Sequence, residues 1–348
     1  MLDYVSILKK ALKDPISKSE ALTLFKKIQS YDKLLELLKV AGKVRDDEVG
    51  RKIKLMGFIA SITPCTVDPP CRYCFRWSNS KLFTSDDVLS DEELEVAVKT
   101  LEAKGLKRAE LGGGTYLGEE GRKVTFHKLT IACKASGKVG IWINNGPSFR
   151  PEDVYKLKEI GVEGVACNFE TISEEKYRKL RPGLSLEVRK KIVEETDRAG
   201  LDIDNTLMIG LGEGWDEQHP YDEWVDFLFY FSKFRNLRIM EIHPFRPIRN
   251  SPCQNMPPGS EFETVKAIAI ARLIYRRVDI SGAQSILGLL AGANLIMHVY
   301  PITKSFRAWG RHPLYHSRVE KLHKDLVIVN NLFEVTRNAR EMGFEVEL

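Results

Sequence analysis

The sequence predicts an α/β fold, a (β/α)8 TIM-type barrel with an N-terminal helical extension and a short C-terminal extension. Three observations carry this: β-rich runs alternate with helical ones, the runs number eight, and only helical periodicity precedes the first of them. Strands alternating with helices imply a parallel sheet, and eight strands fit a closed barrel better than an open doubly wound sheet. Residues 16–48 read as two amphipathic helices. Strands are expected at 54–62, 108–111, 139–143, 164–168, 203–210, 237–243, 279–286 and 295–300. Between them the helices are well punctuated: Ser90 with Glu93 forms a capping box and Gly105 follows that helix, Pro151 opens a helix that Gly161 ends, and Ser185 caps one that stops at Gly200. The expected organisation is residues 1–50 as helices packed on the barrel, 51–303 as the barrel, and 304–348 as the extension. That tail begins basic (Arg307, Arg311, Arg318) and continues as a strand-like run at 325–330 and an amphipathic helix at 332–342.

Composition narrows the class. With 348 residues and 43% hydrophobic content, the chain can bury a large core. A net charge of +5 spread over 53 basic and 48 acidic residues is too dilute to indicate nucleic acid. No basic-then-apolar leader and no apolar run of membrane-spanning length is read, so a cytoplasmic protein without a membrane partner is expected. The six cysteines are not spaced as a disulfide framework; three cluster and three (Cys133, Cys167, Cys253) are scattered, as in a reducing compartment with a metal site.

The clustered three are the chemical signal. Cys65, Cys71 and Cys74 fall within ten positions, directly after the first predicted strand. A structural zinc site closes with four ligands, and the next candidates, His127 and Cys133, lie far downstream. An iron–sulfur cube held by three thiolates instead leaves one iron open to a small molecule. In a barrel, chemistry sits on the loops after strand C-termini, where this loop falls.

Three cysteines after strand one, with Tyr73 just before the last, resemble the radical S-adenosylmethionine (SAM) superfamily, whose usual gaps are three residues and then two. The gap here is five and then two. Within the biotin-synthase/HydE-like branch that spacing resembles the maturation proteins of the iron-only hydrogenase Hmd. Further similar segments are 168–171, 179–183, 208–213, 243–247 and 291–297.

The resemblance implies a four-iron, four-sulfur (4Fe-4S) cluster on Cys65, Cys71 and Cys74, and reductive cleavage of SAM to a 5′-deoxyadenosyl radical, the protein supplying orientation and exclusion of water. It implies an electron donor such as ferredoxin or flavodoxin and a small polar organic substrate. Gly112, Gly113, Gly114 and Thr115 take the place of the glycine-rich motif that receives the methionine end of SAM, though the usual glutamate is missing. Asn168 and Glu170 take the place of the ribose contacts, Arg189 that of the carboxylate partner, and Met208 and Ile209 would pack beside adenine. Each has an ordinary alternative: a tight turn, helix caps, a solvated helix charge and core packing.

Departures from the branch are informative. The register of the second-cluster ligands of biotin synthase gives Glu110, Asp204 and Gln284 and no cysteine at 139–143, and no cysteine follows Cys253, so one cluster and no sulfur insertion are expected. The polar residues at strand ends, Asn144, Asn145, Asp204, Asn205, Glu241, His243, Arg246, Gln284 and His298, are then candidates for holding substrate. The alternative for each is a polar layer satisfied by neighbours or water. His243, Asp204 and Asn145 are placed in the catalytic role, His243 first, because a neutral imidazole can donate or accept a proton. The expected function is radical chemistry in biosynthesis of the guanylylpyridinol (FeGP) cofactor of iron-only hydrogenase. The alternatives are a carbon-skeleton mutase resembling methylornithine synthase and, from another class, an iron–sulfur carrier or scaffold that never cleaves SAM.

Overall fold

The structure, a computed structural model, describes residues 3–76, 82–214, 218–304 and 318–348. Arg307 and Arg311 lie outside these residues.

Eight strands form the barrel: β1 (Lys52–Ile59), β2 (Arg108–Gly112), β3 (Gly140–Asn144), β4 (Val162–Ala166), β5 (Asp202–Ile209), β6 (Leu237–Pro244), β7 (Asp279–Ile280) and β8 (Leu295–Thr303). They lie side by side in chain order, all parallel, with β8 returning to β1. At the β7–β8 seam a single parallel bridge joins Ser281 to Leu295, and Asn294 N donates to Ile280 O at 3.0 Å. The seventh strand is therefore much shorter than the expected 279–286. Gly282 turns the chain with φ +113°, and the Ser285 hydroxyl accepts from Gly288 N, which starts a short helix where the β-rich pattern continued.

The crossover helices are α4 (Asp91–Ala103), α5 (Gly118–Ala135), α6 (Val154–Ile160), α7 (Glu174–Leu180), α8 (Leu186–Ala199), α9 (Tyr221–Phe231), α10 (Glu261–Tyr275) and α11 (Ile286–Leu290). The caps read from the sequence form. Ser90 Oγ accepts from Glu93 N at 3.2 Å while Glu93 accepts from Ser90 N at 2.7 Å, and Gly161 and Gly200 end their helices in the left-handed conformation.

Three helices precede the barrel, α1 (Tyr4–Ala11), α2 (Lys18–Lys27) and α3 (Tyr31–Glu48); the first was not expected. They are docked by buried charge as well as apolar packing. Arg45 donates to the Leu289 and Ala293 carbonyls, and Lys266 of α10 donates to those of Phe25 and Ile28 and to Glu263. The tail adds β9 (Val319–His323), β10 (Leu326–Val329), α12 (Leu332–Glu341) and β11 (Glu345–Glu347). The hairpin of β9 and β10 extends the sheet antiparallel from β8, and β11 pairs with the first residues of β1. So the tail is divided: its hairpin covers the edge of β8 at the C-terminal end of that strand, through Ile302 and Thr303, while β11 lies at the N-terminal rim.

Inside the barrel the strand alternation sorts residues into layers. At the bottom Met56, Trp142, Ile239 and Leu295 form an apolar plug. The bulk of Trp142 is accommodated because Gly164 faces it: a Cβ there would lie 2.4 Å from the indole. Above the plug the side chains turn polar, and above those the lumen opens.

Candidate active site

A cavity of about 360 Å³ opens above the polar layer, within the range of small-molecule sites. Cys65, Cys71 and Cys74 all line it. The loop that carries them is tied down on both sides. Thr66 N donates to Thr115 O and Arg72 N to Leu180 O, each at 2.9 Å, and Thr66 Oγ1 accepts from Leu117 N. Tyr73 is buried against Phe245, edge to face, and its hydroxyl accepts from Arg181 Nε. Burial pushes the Cys71 thiol up to about 11 and raises Cys74 as well, so a metal binding there must displace protons.

The glycine run packs directly on this loop. Gly114 N donates to Thr63 O, and Thr63 Oγ1 to Gly114 O. A Cβ on Gly114 would lie 2.4 Å from Cys65 N, and one on Gly113 would lie 2.3 Å from Thr63 Oγ1. The run is thus a required close approach, and Gly112, Gly113, Gly114 and Thr115 all face the cavity.

Asn168 and Glu170 also line the cavity, beyond the end of β4, which stops two residues earlier than expected. Glu170 has φ +66°, a left-handed conformation held by its bridge to Leu207, and its carboxylate pairs with Arg181. Arg181 also donates to the Asn168 carbonyl. Burial opposes its charge, but Glu170, Tyr177 and Cys71 together more than offset this and hold Arg181 well above its usual range. Asn168 Oδ1 is buried without a partner among the described residues. Arg189, in the first turn of α8, is buried at the cavity wall and donates to the Tyr177 hydroxyl at 2.7 Å. Met208 also lines the cavity.

The floor is acidic. Glu110 of β2 is level with Phe58 of β1 and Trp142 of β3 in register; Asp204 of β5 and Glu241 of β6 complete the ring. Glu110 Oε1 accepts from Asn144 Nδ2 at 2.9 Å, and Glu241 accepts from Thr206 at 3.3 Å and sits 2.8 Å from His243 Nε2. Both Asp204 oxygens and Glu110 Oε2 are buried without a partner among the described residues. Burial first, then the charges of Glu241 and Glu110, raise Asp204 well above the carboxylate range. Burial also works against Glu241, yet the hydrogen bond to His243, the charges of His243 and His298 and the hydrogen bond from Thr206 together outweigh it and hold that carboxylate below its ordinary value. His298 faces the floor from a bulged stretch of β8, at φ +56°, with Nε2 3.8 Å from Glu110; burial lowers it, but Glu110 and Glu241 carry it above its ordinary value.

The fold thus brings together Cys65, Cys71, Cys74, Tyr73, Gly112, Gly113, Gly114, Thr115, Asn168, Glu170, Arg189, Met208 and His243, with Asp204 beneath them. Asn145 is not brought there: it is buried behind the glycine run and donates to Thr125 Oγ1 at 3.0 Å, leaving its neighbour Asn144 on the wall. Ile209 is core. Asn205 clips backbone, accepting from Phe169 N and donating to Cys167 O. Arg246 is exposed, and Gln284 lies off the cavity wall. Sequence reasoning misses Arg181, because nothing in the run 180–183 signals a buried ion pair. It finds Glu110 only as a departure from a thiolate register.

A cluster held by three thiolates and a nucleoside-bearing amino acid fit these residues. The thiols share one wall, the glycine run leaves no side chain between them and the cavity, and Asn168 offers an unsatisfied acceptor. No helix among the described residues is long and apolar enough to cross a membrane.

Known proteins agree with this geometry. The family model described as "Radical SAM superfamily" matches residues 62–224. An uncharacterized protein of Methanocaldococcus jannaschii is 31% identical over 82% of this chain and 76% of its own length. A biotin synthase of Thermodesulfovibrio yellowstonii is 28% identical over 80% of this chain and 86% of its own. Among solved structures, methylornithine synthase (PylB) superimposes with a TM-score of 0.75 at 22% identity, covering 98% of this chain and 97% of that one, a likeness of fold.

Proposed function

We propose, for a chain that belongs to the radical SAM superfamily and is an enzyme of its biotin-synthase-like kind, a role in biosynthesis of the FeGP cofactor of iron-only hydrogenase, acting on a small polar precursor. Its cofactors are a 4Fe-4S cluster and SAM. Bound together they supply one-electron cleavage of a carbon–sulfur bond, and with it a radical strong enough to take hydrogen from an unactivated carbon.

In this reading the chain's own residues hold, orient and shield. Cys65, Cys71 and Cys74 would hold the cluster. The backbone of Gly112, Gly113 and Gly114 receives the methionine end of SAM, with Arg189 toward its carboxylate. Asn168 and Glu170 take the ribose hydroxyls, Glu170 being aimed by Arg181. The apolar plug below and the packed loop above keep water from the reacting carbon. His243, with Nε2 2.8 Å from Glu241, is placed to pass a proton to or from whatever lies on the floor. A ferredoxin or flavodoxin would deliver the electron.

The observation that carries the FeGP assignment is the five-then-two spacing of Cys65, Cys71 and Cys74, which resembles the hydrogenase maturation protein HmdB (HcgA). Carboxylates at Glu110 and Asp204, no cysteine at 139–143 and an amide at Gln284, in the register of the second-cluster ligands of biotin synthase, support a single cluster. The test is an FeGP-assembly extract depleted of this protein: adding back the reconstituted enzyme restores iron-only hydrogenase activity, and Cys71→Ala does not. Restoration by the Cys71→Ala variant, or cofactor made without the protein, would refute the assignment. Anaerobic enzyme given dithionite and SAM but forming no 5′-deoxyadenosine would leave only the carrier reading.

A further inference from the structure

We propose that the floor formed by Glu110, Asp204 and Glu241 is a binding site for a primary ammonium group, so that the substrate is an amine presented to the cofactor cavity from below. This rests on the radical SAM reading, since the cavity above the floor is the one that reading gives to SAM.

One oxygen from each of the three carboxylates lies within 4.8 Å of the other two, and all three residues are buried. Three carboxylates at that spacing in a closed lumen are costly unless a positive group completes them. The protein offers little: His243 faces Glu241, His298 faces Glu110, and no ion pair reaches Asp204 among the described residues. Lys54 and Arg108 are both engaged below by Asp279. Among the described residues Asp204 Oδ1 and Oδ2 and Glu110 Oε2 are therefore acceptors with no donor, and Glu110 and Glu241 border the cavity.

The spacing admits an ammonium. An ammonium holds three acceptors at roughly 2.8 Å along tetrahedral directions, which places them about 4.6 Å apart. A divalent ion binding oxygens at about 2.1–2.4 Å would draw neighbouring ligands to roughly 3 Å. Oxygens within 4.8 Å of one another leave room for the first arrangement, and the Mn²⁺ arm of the experiment separates it from the second. The raised Asp204 also fits: neutral while the floor is empty, it ionises when an ammonium arrives and gives its proton to solvent.

The experiment uses anaerobically reconstituted full-length enzyme and isothermal titration calorimetry at pH 7 with n-alkylamines of three to six carbons, the matching n-alkanols, and MnCl2. An amine is expected to bind at least tenfold more tightly than its alkanol, with proton release seen as a heat that depends on the buffer's ionisation enthalpy. Asp204→Asn and, as a second variant, Glu110→Gln should each weaken amine binding at least tenfold, thermal melts showing both folded. Equal binding of amine and alkanol, or wild-type amine affinity in both folded variants, overturns the proposal. So does stoichiometric Mn²⁺ binding, lost in Asp204→Asn, without amine binding. The same preparation is assayed for 5′-deoxyadenosine from SAM. Amine binding without SAM cleavage would sink the radical SAM reading and leave the ammonium site; cleavage without amine binding would sink the ammonium site alone.

Discussion

Gly114→Ala offers a sharp test of how the site is built. An added Cβ would lie 2.4 Å from Cys65 N and 2.6 Å from its Cα and Cβ. Carbon contacts prefer about 3.5–4.0 Å, so Cys65 must retreat by about 1 Å, and these are backbone atoms that no rotamer change can move. Overpacking of this kind costs about 1–3 kcal/mol. The chemical cost is larger, because a displacement of about 1 Å can lower a rate on the order of 100-fold. The variant is expected to fold, to hold less iron than wild type after anaerobic reconstitution, and to form 5′-deoxyadenosine about 100-fold more slowly. Gly118→Ala is the control. Gly118 has φ +86° with nothing within 4 Å of a Cβ, so an alanine there meets backbone strain of about 1–2 kcal/mol but no clash. Its melting temperature should fall by a similar few degrees while iron content and SAM cleavage stay at wild-type levels. If Gly114→Ala retains full iron and full cleavage rate, the packing of the glycine run on the cysteine loop does not position Cys65.

Other expectations follow from the buried charges. Because the folded pKa of Asp204 is raised, its contribution to stability is fully present below its unfolded pKa, about 3.9, and is lost as pH rises through the folded value. Asp204→Asn should therefore melt higher than wild type at pH 8, with the gap narrowing toward pH 4.5 in scanning calorimetry; a constant gap would contradict the shift. Removing Arg181 leaves Glu170 without its cation, and Arg181→Ala should raise the half-saturating SAM concentration at least tenfold with bound iron unchanged, Arg181→Lys less so; an unchanged SAM requirement would deny it a positioning role. Lys266→Met leaves Glu263 buried and unpaired at a cost of about 3–5 kcal/mol, whereas adding Glu263→Gln should recover most of it in denaturant titrations.

Local chemistry and periodicity made much of this protein legible. Eight strands and the caps at Ser90, Gly161 and Gly200 follow from neighbours in sequence, and all eight strands form, within a few residues except at β7. There the β-rich pattern of 279–286 yields to Gly282 and to the capping hydroxyl of Ser285, which act over a few residues but compete with strand propensity. The cysteine loop is equally local: three thiols, their spacing and an adjacent glycine run define its chemistry before any folding is known.

What the tertiary structure alone decided is which polar residues share the lumen. A strand's faces alternate residue by residue, so a difference of one position moves a side chain from the lumen to the outside. That is why Asn144 reaches the cavity and Asn145 turns to Thr125, and why Asn205 clips backbone while Asp204 joins the floor. Glu110, Asp204 and Glu241 come from three strands far apart in the chain, and only barrel closure sets their oxygens within 4.8 Å. The identity of the cofactor loop was written in adjacent residues, whereas the acidic floor is a product of register and closure, which act at long range and leave no local mark.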